Sequence, residues 1–86
     1  MYVILTYDIQ QKRDAKVHKV CKKYLAHIQR SVFVGNISEA KLNNLKRELF
    51  LLISPQYDSV IIYRLDSVKY AVKEQLGMVQ PLSNII

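Results

Sequence analysis

The chain has a single cysteine, no tryptophan, two glycines and two prolines among its 86 residues. One cysteine excludes an internal disulfide and any zinc site built on several thiolates. Cys21 is read as a small buried hydrophobe. There are no repeats, no low-complexity segments and no linker. The longest unbroken apolar stretch, Leu49 to Ile53, falls far short of the ~20 residues that span a bilayer. The N-terminus lacks the basic region of a secretory signal, so a cytoplasmic protein without a membrane partner is expected. Acids are scarce as well. Seven Asp and Glu stand against thirteen Lys and Arg, a net charge of +6, which raises the expectation of a polyanionic partner. Half of the residues are hydrophobic, so the chain is not a disordered tail. It reads as one domain, residues 1–86, and a chain this short buries only roughly 60 % of its unfolded surface. Association with a second copy would help it.

What is present is an ordered run of elements. Tyr2 to Tyr7 is strand-like, with mostly apolar residues on both faces, so both should be covered. From about Gln11 to His27 the period becomes helical, with Val17, Val20, Cys21, Tyr24 and Ile28 on a core stripe. Lys12, Lys16, Lys19 and Lys23 form a separate stripe, flanked by Arg13 and Lys22, while His18 lies off it and is read as exposed. Like charges at these spacings destabilise an isolated helix by a few tenths of a kcal/mol each. The stripe therefore suits an anionic partner, with a solvated lysine face as the alternative. Ile28 to Ile37 is extended. Ser38 is a good N-cap for a second helix to about Ile53, with Leu42, Leu45, Leu49, Leu52 and Ile53 inward. Ser54-Pro55 ends it. Asp58 to Leu65 is a strand, again apolar on both faces. A turn of helix is expected around Val68 to Lys73, and a short strand-like tail ends "LSNII". Two helices can cover one face of such a sheet; a second copy's sheet would cover the other.

Asp8 closes the first strand and has two readings. It can cap the following helix, since "DIQQ" is close to a capping box, or it can hold a metal ion. A different match is "VFVGNI", which fits the first strand of an RNA-recognition motif. The second signature of that module is absent, and too little chain follows Val32 to complete it.

"YDI" closing the first strand, "QRSVF" with Gly35 behind it, and "DSVIIYRL" after the second helix together resemble the CRISPR-associated protein two family. That family is the small subunit of the spacer-acquisition machinery, and the resemblance covers nearly the whole chain. It implies an α+β, ferredoxin-like βαββαβ fold with an additional C-terminal strand, and a homodimer through the sheet faces. Ile28 to Ile37 then either bends near Ser31 into two strands or stays one. The resemblance also implies a metal site in which Asp8 and its mate share Mg2+ or Mn2+, hard ions that suit carboxylate and water ligands. Tyr7, Ser31 and Phe33 match residues associated with the family's active region, although Tyr7 and Phe33 also suit the core.

Two functions follow from the resemblance. One is a metal-dependent endonuclease acting on single-stranded RNA or duplex DNA. The other is a scaffold that joins an integrase partner and lies along a captured duplex. For the second, Lys12, Arg13, Lys16, Lys19 and Lys23, with His27 and Arg30, are the expected phosphate contacts. Some family members carry Arg at the position of His27. A toxin-like endoribonuclease of similar fold stays open.

Overall fold

A computed structural model describes residues 1–67 and 70–77. The order is β1 (Tyr2–Asp8), α1 (Gln11–Tyr24), β2 (Ala26–Gln29), β3 (Val32–Asn36), α2 (Glu39–Leu52), β4 (Ser59–Ser67) and β5 (Tyr70–Gly77). One antiparallel sheet runs in the order β2-β3-β1-β4-β5. The first six elements are thus βαββαβ with β1 central, the ferredoxin-like arrangement, and β5 adds an edge beside β4.

Strand period two sorts β1 into two sides. Val3, Leu5 and Tyr7 are buried, together with Phe33 of β3 and Val60 and Ile62 of β4. These residues join Val17 and Cys21 of α1 and Leu42, Leu45 and Leu49 of α2 in one core. The α1–α2 seam is closed at its edge by Glu48, which accepts hydrogen bonds from Lys23 (2.5 Å) and from the Tyr24 hydroxyl. The opposite side of the sheet carries Ile4 and Thr6, whose neighbours in register are Val34 and Tyr63, and Val32 and Ile61. All six are half-buried in the single chain, and neither helix packs there.

Ser38 caps α2 as expected, its Oγ accepting from the Lys41 N–H at 3.2 Å. Two boundaries differ from expectation, and the alternative left open for Ile28 to Ile37 is decided. The first helix ends at Tyr24, not His27, because Leu25 turns extended and Ala26 and His27 pair with Val34 and Phe33. Ile28, four residues after Tyr24, therefore matches the helical stripe only by coincidence and is exposed. The segment from Ile28 to Ile37 is a bent pair: Arg30, at φ 44°, and Ser31 make the turn between β2 and β3. The helical turn expected near Val68 to Lys73 is replaced from Tyr70 onward by β5, where Lys73 and Glu74 pair along β4, while residues 68 and 69 lie outside the described residues. Tertiary pairing overrides such weak preferences. The expected "LSNII" strand lies outside the described residues.

Candidate metal and nucleic-acid site

Asp8 is the last residue of β1. Continuing the alternation of Tyr2, Ile4 and Thr6, it is exposed on the side of the sheet that the helices leave open. Its neighbour across the ladder is Ser59 of β4. The N-cap of α1 is Gln10, whose side chain makes no capping bond. Asp8 stands two residues before that position, so the capping reading does not describe it.

The carboxylate that organises this end of the sheet is Asp58, which sequence reasoning passed over as the first residue of a strand. It is fully buried. It accepts from the Gln10 N–H at 2.9 Å, the Ser54 N–H at 2.8 Å, Arg13 Nε at 2.6 Å and Arg13 Nη2 at 3.0 Å. Bonds from Arg13 above all, aided by the two N–H groups, hold its carboxyl down to about 2 despite burial. The available signal was positional: an acid directly before a strand apolar on both faces needs a cationic or N–H partner.

Tyr7 and Phe33 lie on the helix-covered side, away from Asp8. Their rings stack at 6.1 Å. Burial, with a contribution from Asp14, pushes the Tyr7 phenol up to about 12. Its hydroxyl lies 3.3 Å from Nδ1 of His18. His18 is not simply exposed: its ring meets Phe33 at 5.1 Å and His27 at 4.6 Å, edge-on in both cases. His27 Nε2 is 2.7 Å from the Arg30 carbonyl, closing the β2–β3 turn. The Ser31 carbonyl accepts from the Tyr7 N–H at 3.2 Å, which brings Ser31 beside the same end of β1 as Asp8. The structure thus gathers Asp8, Ser31 and Ser59 at one strand end, and leaves Tyr7 and Phe33 in the core.

No group of three or more His, Cys, Asp or Glu side chains converges on a metal position among the described residues. One carboxylate per chain is a thin donor set. Its chemistry fits Mg2+ or Mn2+, because such ions are commonly held by one or two carboxylates with water completing the shell.

The lysines stand elsewhere. Lys12, Lys16, Lys19 and Lys22 are exposed and, among the described residues, have no ion-pair partner. Lys12, Lys16 and Lys19 point away from the buried Val17 and Cys21, so they face outward from the helix layer while Asp8 faces outward from the sheet. Lys23 is engaged by Glu48 and Arg13 by Asp58. From residue 12 to residue 23 the stripe runs about 16 Å at 1.5 Å per residue, roughly the axial span of five phosphates on one strand.

A ferredoxin-like chain with these features has close relatives. The family described as CRISPR associated protein Cas2 matches residues 1–72. The chain is 46% identical over 78 residues to the CRISPR-associated endoribonuclease Cas2 of Dictyoglomus turgidum, covering 91% of this chain and 90% of that one. It is 45% identical, with the same coverage, to the protein so named in Thermotoga maritima. Among solved structures, Streptococcus pyogenes Cas2 at pH 6.5 superposes with TM-score 0.70 at 32% identity, covering 76% of this chain and 86% of that one. The chain belongs to the CRISPR-associated Cas2 family. No helix among the described residues is long and apolar enough to cross a membrane.

Proposed function

We propose that this protein is a CRISPR-associated endoribonuclease whose reaction centre is Asp8, shared across a homodimer. The carrying observation is the position of Asp8, an exposed carboxylate at the tip of the central strand, on the helix-free face and off the helix cap. The names of the relatives support the substrate class. A second copy laid on the open face would cover Ile4, Val34, Ile61 and Tyr63 and add a second Asp8. Two carboxylates would hold a Mg2+ or Mn2+ ion that one holds weakly. A divalent ion there supplies electrophilic polarisation of a phosphodiester oxygen. The chain's own part is to present the carboxylates at a fixed separation, with Ser31 and Ser59 beside them.

The lysine stripe favours a second role for the same protein: a scaffold that tracks phosphates of a duplex, without reading bases, in spacer acquisition with the integrase. Lys12, Lys16, Lys19 and Lys22, exposed on the far side of the helix layer and without an ion-pair partner among the described residues, serve a backbone better than they serve Asp8. The two roles separate experimentally. Asp8→Asn should abolish Mg2+-dependent cleavage of single-stranded RNA and leave duplex binding intact. A variant that loses both together contradicts the assignment of separate surfaces.

A further inference from the structure

We propose that Arg13 and Asp58 form a positioning pair for Asp8. Their contact fixes the β1–α1 loop against the start of β4 and so sets where the Asp8 carboxylate stands. This rests on the reading of Asp8 as a metal ligand. Asp58 holds Asp8 from two directions. Along the chain it accepts from the N–H of Gln10, two residues beyond Asp8. Across the sheet it is joined covalently to Ser59, the ladder neighbour of Asp8. Arg13 reinforces the same loop, since its Nη2 donates both to Asp58 and, at 2.9 Å, to Oε1 of Gln10. The fourth bond, from the Ser54 N–H, anchors the α2–β4 loop to the same carboxylate. Stability alone is a weak reason for such a pair, because buried ion pairs are often replaceable by apolar side chains without loss. What this one does is immobilise a loop whose N-cap residue makes no side-chain capping bond of its own. Arg13 is a positioning residue, not a phosphate contact.

The test is Mn2+ binding to the full chain, read as the loss of the free-ion electron paramagnetic resonance signal. It uses wild type, Asp8→Asn, Arg13→Gln, Arg13→Lys and the core control Ile62→Val. Wild type should bind, and Asp8→Asn should not. Arg13→Gln should raise the dissociation constant by about tenfold or more, the usual effect of losing a group that orients a ligand. Arg13→Lys keeps the charge but not the two-nitrogen fork, so it should recover only part of the affinity. It also carries the test if the Gln variant does not fold. Ile62→Val should lower the melting temperature and leave Mn2+ affinity unchanged. Wild type without Mn2+ binding, or binding that survives Asp8→Asn, overturns the metal reading of Asp8 and this proposal with it. Binding unchanged in both Arg13 variants, or equally weakened in Ile62→Val, overturns the positioning role alone.

Discussion

Replacing Asp58 by Asn keeps the shape of the side chain and removes its charge, so the variant stands in for protonated Asp58 at every pH. In the folded protein the carboxyl titrates at about 2, against an ordinary value of 3.8. A gap of nearly two units, at about 1.4 kcal/mol per unit, is roughly 2.5 kcal/mol of stability at neutral pH. The folded value is the depressed one. The contribution is therefore complete above about pH 4 and is lost as the pH falls toward about 2. In a domain of this size 1 kcal/mol moves the melting temperature by about 4–8 °C. Asp58→Asn should then melt about 10–20 °C below wild type at neutral pH, and the two curves should converge as the pH approaches about 2. Circular dichroism melts at a series of pH values measure both. A difference that stays constant down to about pH 2 would refute the assignment of the stabilisation to the ionised carboxylate, as would a neutral-pH difference of only a few degrees.

Three further outcomes follow from other parts of the molecule. Gly77 has φ 93°, and a Cβ there would lie 1.9 Å from the Asp58 carbonyl oxygen; Gly77→Ala should cost more than about 2 kcal/mol in urea unfolding, and a loss under about 0.5 kcal/mol would contradict the packing of β5 on β4. Reversing Lys16 and Lys19 to Glu should weaken duplex binding across sequences and flatten its salt dependence, each lost contact removing roughly 0.9 from the log–log slope; an unchanged slope places the footprint elsewhere. Burial pushes the Cys21 thiol up to about 12, so the native protein should resist maleimide at neutral pH and react fully once unfolded, whereas rapid labelling of the native chain would contradict the α1 packing.

The β1 strand, the α2 stripe, the Ser38 cap and the β4 strand are legible in the sequence because each rests on local periodicity or capping chemistry. The split of Ile28 to Ile37 into β2 and β3, which completes the βαββαβ order, is not, and only the resemblance pointed to it. The end of α1 is not legible either, since Tyr24 and Ile28 keep helical spacing across a junction that only pairing with β3 decides. The strand β5 was hidden for a related reason: "AVKEQ" has the composition of a helix, and only the edge of β4 makes it extended. At the site, Asp8 stood out by interrupting an apolar run. Asp58 did not, because its cationic partner Arg13 and the Gln10 N–H come from the start of α1, far from it in the chain. The position of His18 along the helix likewise cannot show a ring packed against Phe33 and His27 of the neighbouring hairpin.

The most direct test of Asp8 as the reaction centre is cleavage of an end-labelled single-stranded RNA, followed by gel electrophoresis with Mg2+ and with EDTA in its place. Wild type should cleave only with Mg2+, while Asp8→Asn, folded and still able to bind the duplex, should leave the RNA intact under both conditions. Equal cleavage by wild type and Asp8→Asn, or wild-type cleavage that persists in EDTA, would contradict it.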